Sequence, residues 1–310
     1  MGDLVVIAVP TYRRPNGLRQ CLSAIAALNT DAAIEVVVAE NDVERREGER
    51  VCQEFLASGY RFPLRVVPVA ERGVVAVRNT LAREAIRDPA VGWIAMIDDD
   101  EWPTPGWIDE MLRVAHAYGA DVVGGPVDRS YEIPQPPHVV AASEGAYASW
   151  QTGPVDLVDA TSNILFRAGV FRELPEPWFD SAYALLGGED RDFLIGLEMA
   201  GRRFAWAREA VVREVYPASR CTLRWMVKRA YRGGNTDMLI NLKRRPPGFS
   251  FARESAKILG ATGVSLANLT LFGWKAERRV AGMLLLARVS GKLSGLLGIR
   301  YQEYRTVHGS

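Results

Sequence analysis

Cysteine, histidine and long apolar runs are all scarce in this 310-residue chain. Cys21, Cys52 and Cys221 are odd in number, widely spaced and without a CxxC pair. That excludes a disulfide frame and a cysteine zinc site, and points to free thiols in a reducing compartment. His116, His138 and His308 are too scattered for a histidine-rich metal site. The longest uncharged run, residues 258–274, is diluted with Gly, Ser, Thr and Asn and makes a poor membrane span. The chain enters a strand at once, so no signal peptide is expected. Neither GxGxxG nor GxxxxGK[ST] occurs, which removes the two common glycine-rich phosphate cradles.

What is present is a soluble globular composition, 48% hydrophobic and 24% charged, with a net charge of only +1. The small net charge hides an asymmetry. Residues 201–310 carry 21 Lys and Arg against 6 Asp and Glu, a surplus of +15, whereas residues 1–200 carry 17 against 31, or −14. An acidic body with a basic tail piece suggests two jobs.

Apolar runs at 4–9, 34–39, 64–69 and 92–97 alternate with helical patterns at 17–28, 44–56 and 74–87. This order predicts parallel βαβ units and a doubly wound α/β sheet. In such a sheet ligands bind beyond the carboxyl ends of the strands, and here those ends read PTYRR, ENDVE and DDDE. A loop is expected at Pro134-Gln135-Pro136-Pro137. A break at Lys243-Arg244-Arg245-Pro246-Pro247 is expected to divide a catalytic domain, 1–245, from a helical C-terminal extension, 246–310. The first domain would have a nucleotide-binding half at about 1–125 and an acceptor half at about 126–245.

Asp98, Asp99, Asp100 and Glu101 stand side by side at the end of the fourth strand. A solvated loop with capping aspartates ahead of a helix at 107–118 is the plainer reading. The sharper one is a divalent cation held by Asp100, with Asp98 or Glu101 nearby, completed by phosphate oxygens and water. A nucleotide would then be gripped without a glycine loop. Tyr12 is placed to stack on a base, Glu40 or Asp42 to accept hydrogen bonds from uracil or ribose, and Arg78 to face a phosphate. Further on, Glu189, Asp190 and Asp192 open an apolar-periodic stretch. They are either favoured there by the helix dipole or supply one carboxylate as a general base.

The motifs VPTYRRP (9–15), VVVAENDVE (36–44), ERGVVAVRNTLAREA (71–85), MIDDDEWPTPGWI (96–108), TSNILFR (161–167) and GGEDRDFLIGLEMAG (187–201) run in order over about residues 4–235. Together they resemble the family 2 glycosyltransferases of the GT-A fold, and among them bacterial exopolysaccharide β-glycosyltransferases of the succinoglycan kind. The resemblance implies a Rossmann-like doubly wound mixed sheet and transfer of a sugar from a nucleotide sugar, such as UDP-glucose, to a saccharide acceptor. By position it makes Pro10, Thr11, Tyr12, Glu40, Arg78 and Asn79 nucleotide contacts, with Asp42 and Asp99 beside them. Asp98 and Asp100 become the Mn2+ or Mg2+ and diphosphate motif, and Asp190 the catalytic base. The sequence departs from the family twice. Glu40 stands where Asp is common, and VVREVYPASR (211–220) lacks a histidine that many members carry. The rivals are a nucleotidyltransferase on a similar sheet and an inactive nucleotide- or glycan-binding relative.

Arg220, Arg224, Lys228 and Arg232 recur at intervals of four and line one helix face. Without a nucleic-acid module beside it, this stripe is read as a solvated face or as a contact for anionic lipid head groups or a lipid-linked acceptor. Leu286, Val289, Leu293, Leu296 and Leu297 recur at helical spacing within 280–299. They predict an amphipathic helix on an anionic membrane surface, or else a helix completing the core. The expected location is cytoplasmic, peripheral on the inner face of the bacterial membrane.

Overall fold

The protein is described from a computed structural model covering residues 4–136, 149–158 and 162–301. Thr161 of the TSNILFR motif, His138 and His308 lie outside these described residues. The four apolar runs form β1 (Leu4–Thr11), β2 (Ala33–Glu40), β3 (Leu64–Pro68) and β4 (Val91–Met96). Between them lie α1 (Pro15–Ala26), α2 (Glu47–Ala57) and α3 (Val74–Ala85). These four strands are parallel and ordered β3-β2-β1-β4. Their runs are continuous rather than alternating because both faces are covered. Val5, Ile7 and Val9 enter the core shared with Leu18, Leu22 and Ile25 of α1, while Val6 and Ala8 enter the opposite core with Leu81 and Ala82 of α3. The chain reverses direction across the sheet at β1, so a crevice opens between the ends of β1 and β4.

After β4 come β5 (Glu101–Pro103), α4 (Trp107–Tyr118), β6 (Val122–Gly124), β7 (Val127–Tyr131), β8 (Gly153–Val155) and β9 (Ile164–Arg167). They are followed by α5 (Gly169–Glu173), α6 (Glu189–Met199), β10 (Phe204–Trp206) and β11 (Val212–Tyr216). The main sheet continues past β4 as β9-β6-β10-β8 and becomes mixed, since β9 runs antiparallel to both neighbours. A second sheet, β5-β11-β7, sets Glu101 opposite Glu214.

Three helices complete the described chain: α7 (Leu223–Arg244), α8 (Phe251–Thr270) and α9 (Ala276–Leu296). Thr222 caps α7 by accepting from the Trp225 N–H at 3.2 Å. The helix ends on Arg245 in the left-handed region (φ 47°), ahead of the two prolines. α9 does not stand apart as a free amphipathic helix. A Cβ added to Gly291 would lie 1.9 Å from the Tyr231 carbonyl oxygen of α7, and one added to Gly234 2.0 Å from the Arg288 carbonyl oxygen of α9. Backbone therefore meets backbone at this crossing, as only glycine permits. Buried Asn235 ties the contact by donating to Ser294 Oγ and the Ile299 carbonyl, both at 2.8 Å. The apolar set at helical spacing is divided accordingly. Val289 is buried, Leu286 is half-buried, and only Leu293, Leu296 and Leu297 of that set are exposed. Two basic residues of α9 are paired: Arg288 with Asp237 on α7, and Lys292 with Glu254 on α8.

Candidate active site

The acid turn leaves β4 in the crevice and is fastened to β1 and α1. Thr11, the last residue of β1, donates through Oγ1 to Asp99 Oδ2 at 2.7 Å. Arg14 Nη1 donates to Asp100 Oδ2 at 2.6 Å and to Asp99 Oδ1 at 3.2 Å. The first turn of α1 presses so close that a Cβ on Gly17 would lie 2.6 Å from the Asp99 carbonyl oxygen. Arg78 of α3 pairs with Glu189 and lies 3.8 Å from Asp98. Arg220 lies 3.8 Å from Asp100 and 3.2 Å from Glu214, which Arg129 also contacts at 3.0 Å.

Arginines thus supply much of the positive charge that the acidic stretch demands, and a cation is not its sole neutraliser. They do not supply all of it. With every group ionised, Arg14, Arg78, Arg129, Arg220 and nearby Arg232 fall two charges short of Asp98, Asp99, Asp100, Glu101, Glu189, Asp190 and Glu214. The excess shows in the acidities. Burial pushes the Asp99 carboxyl up to about 7, against the pull of Arg14. Burial, then the charges of Asp98 and Glu214, hold Glu101 well above the usual carboxylate range, and its Oε2 has no hydrogen-bond partner among the described residues. Burial raises Asp98 too, with Arg78 opposing and Asp100 adding to the rise.

The second acidic motif sits across Arg78. Gly188, at φ 93°, precedes α6, and a Cβ there would meet Thr236 Cγ2 at 2.2 Å, so the entry requires glycine on both counts. The three carboxylates of the first turn have separate fates. Glu189 is buried against Arg78, and burial raises its pKa to about 7 despite that attraction. Asp192, fully buried, binds Lys243 Nζ at 2.7 Å and Arg244 at 2.7 and 2.8 Å, fixing α6 to α7. Asp190 is half-buried and accepts the Arg191 N–H at 2.7 Å, with no ion pair to it among the described residues. Of the three, it alone is left available for a reacting hydroxyl.

Other expected nucleotide contacts have structural partners. Glu40, buried at the end of β2, accepts the N–H groups of Asp42 (2.7 Å) and Gly48 (2.6 Å), anchoring the start of α2. Its pKa is raised because burial outweighs those bonds. Asn79 donates to the Phe179 carbonyl at 2.8 Å and accepts from the Trp178 and Phe179 N–H groups at 3.1 and 3.0 Å. Asp42 accepts from Arg13 Nε at 2.6 Å; this bond holds its carboxyl below the usual range although burial opposes it. Tyr12 is half-buried, its ring 4.9 Å below the Arg13 guanidinium, and Pro10 sits in β1 opposite Ala39.

A cavity of about 360 Å³ opens beside the acid turn, lined by Arg13, Arg14, Asp100, Pro217, Arg220 and Trp225 among others. Three guanidinium groups against one carboxylate make it suited to a polyanion such as a diphosphate. Arg14 and Glu214 were not singled out in the sequence; the doubled arginine of VPTYRRP was the one visible signal for the first. Among the described residues no group of three or more His, Cys, Asp or Glu is arranged to hold a metal ion. Asp100, its side chain 29% exposed, does reach the cavity. That donor set suits a hard cation bound through one or two carboxylates and completed by phosphate oxygens and water.

A model of glycosyl transferase family 2 matches residues 6–174. Over 301 residues the chain is 31% identical to the succinoglycan biosynthesis protein ExoM of Rhizobium meliloti (strain 1021), spanning 96% of this chain and 94% of that protein. The fold is similar to that of mannosyltransferase PcManGT from Pyrobaculum calidifontis, solved with GDP-Man and Mn2+. That likeness has a TM-score of 0.65 and 16% identity over 96% of this chain and 88% of the other. S. aureus TarS 1–349, solved with UDP, matches with a TM-score of 0.52 and 15% identity over 99% of this chain and 95% of that one.

Proposed function

The chain belongs to glycosyl transferase family 2, and from that premise we propose that it is a metal-dependent, inverting hexosyltransferase. Its donor is a UDP-hexose such as UDP-glucose. Its acceptor is a lipid-linked saccharide in bacterial exopolysaccharide or cell-surface polysaccharide synthesis, reached from the inner face of the cytoplasmic membrane. The observation that carries the reading is the division of labour around Arg78. On one side lies the acid turn with its cationic cavity, and on the other Asp190 is, among the described residues, the one carboxylate of its turn without a cation.

Asp190 takes the proton of the acceptor hydroxyl as that oxygen attacks the anomeric carbon and the bond to the diphosphate breaks. One displacement inverts configuration, so an α-linked donor yields a β-glycoside. Arg14 and Arg220 line the cavity where the departing diphosphate gathers charge, and fixed guanidinium groups stabilise it without reorganising. Asp100, with Asp98 beside it, would hold Mn2+ or Mg2+, which supplies Lewis-acid charge to the leaving group. Support for a lipid-linked acceptor comes from a groove of about 530 Å³ between α7 and α9, lined by Val227, Lys228, Tyr231, Met283 and Leu286. Lys228, one of the basic residues recurring at intervals of four, is among its lining. Incubating the protein with a panel of nucleotide sugars, Mn2+ and saccharide acceptors tests the reading. UDP release that needs both donor and acceptor is expected; no release with any donor would contradict it.

A further inference from the structure

The helix α8 is built inside out. Glu254, Ile258, Ala261, Ser265 and Asn268 share the stripe that faces the protein, and Ser265 is wholly buried. Ser265 Oγ donates to the Gly282 carbonyl of α9 at 2.7 Å, and Glu254 bonds Lys292 at 2.8 Å and Lys257 at 2.7 Å. The outward arc carries Leu259 and Leu266, two turns apart, along one edge, and Val264 and Leu271, two turns apart, along the other, roughly 140° away around the axis. Gly260 and Gly263 between them are also exposed. Leu259 is 72% exposed. The turn into α9 adds Phe272 and Trp274, the latter 73% exposed.

A helix in water places its polar residues outward. This one buries Glu254, Ser265 and Asn268 while exposing Leu259, Val264, Leu266 and Leu271 along a broad outward arc, more apolar side chains than a helix turned to water carries. No charge falls between Ile258 and Trp274. Arg253 and Lys257 bound the arc at one end, and Lys275, Arg278 and Arg279, with Glu277 the one acid among them, bound it at the other. Basic residues at both ends, with exposed aromatic rings at the edge, match a bilayer interface with anionic head groups. A second protein copy would offer no reason for that charge pattern. The helical part of the uncharged stretch, 258–270, is about 20 Å long at ~1.5 Å per residue, short of a hydrocarbon core of about 30 Å. No helix among the described residues is long and apolar enough to cross a membrane.

We infer that α8 and the turn at 271–275 form the membrane-docking surface, with α8 lying flat in the interface of an anionic bilayer. This rests on the reading of the chain as an enzyme of the membrane surface, and it moves the contact from α9 to α8. Its role is to hold the catalytic domain at the height of a lipid-linked acceptor. Flotation of the full chain with phosphatidylglycerol–phosphatidylethanolamine vesicles tests it. Wild type should float, less so in high salt or on phosphatidylcholine alone. The variant L259Q/L266Q/L271Q should partition about tenfold less or worse, while L293Q/L297Q on α9 should float as wild type. All three positions of the first variant are exposed, so its melting temperature should be unchanged.

A folded triple variant that floats like wild type overturns the assignment of α8 and leaves the membrane reading standing. Wild type that stays down with these vesicles overturns both. Nucleotide-sugar transfer to a soluble acceptor in that same protein would show that the enzymatic reading survives. A wild type that sediments as a dimer, and a triple variant that sediments as a monomer, would show that a second copy covers the face and also overturn the inference.

Discussion

Glu189 and Asp190 are neighbours with opposite fates, and the difference lies in what each side chain meets. Glu189 is buried against Arg78 and its pKa is raised to about 7, so between the ordinary carboxylate range and that pH the native state holds a proton that the unfolded chain releases. Stability should therefore fall as pH rises through about 5 to 7. The full shift corresponds to roughly 3 kcal/mol at most. Urea midpoints measured across that window should slope less for Glu189→Gln than for wild type, the remaining slope coming from Asp99, also raised to about 7; equal slopes would contradict the account. Arg220, between Asp100 and Glu214, faces the cavity rather than the core. Arg220→Met should lower kcat by about 10²-fold with a smaller change in KM, read from steady-state nucleotide release. The residue scale was also the least legible in the sequence. Glu40 and Asn79 occupy motif positions, but their polar atoms are taken by backbone groups of residues 42–48 and 178–179. Such pairings depend on tertiary approach that no local pattern encodes.

Strands β1 to β4 and helices α1 to α3 could be read from the sequence because their signals are local. Apolar runs buried on both faces alternate with helical periodicity, and the ends fall within a few residues of those expected. The sheet β5-β11-β7 could not. Its members are three to five residues long, and Glu101 meets Glu214 only because strands far apart in the chain pair. The crossing of α7 and α9 was hidden for a related reason. Periodicity marked Val289 and Leu293 as one face, but the glycines decide the packing. At Gly291 the approach leaves no room for a methyl group. Gly291→Ala should destabilise the protein by about 1–3 kcal/mol, measured by urea unfolding. The same substitution at exposed Gly260, which meets nothing within 4 Å, should stabilise α8 slightly.

Across the whole molecule the charge asymmetry becomes intelligible. The acidic half holds the turn at 98–101, and the basic half supplies Arg220 and Arg232 to the site and Lys243 and Arg244 to the seam between α6 and α7. Of the basic residues that remain, Arg253, Lys257, Lys275, Arg278 and Arg279 bracket the exposed face of α8. Chelation should act at the same scale. With all bound metal removed and EDTA in excess, transfer should fall to background and return on adding Mn2+ or Mg2+, while the melting temperature of the protein without donor stays nearly constant. Full activity under chelation would remove the metal from the account and leave the arginines as the sole leaving-group stabilisers. The central claim is that Asp190 is the general base, and the most direct measurement compares Asp190→Asn with wild type. The substitution is nearly isosteric and keeps a hydrogen-bonding group but no basicity. Turnover in sugar transfer should drop by about 10²–10⁴-fold, with UDP and donor affinity within about twofold of wild type by calorimetry. Transfer by Asp190→Asn at the wild-type rate would contradict the claim.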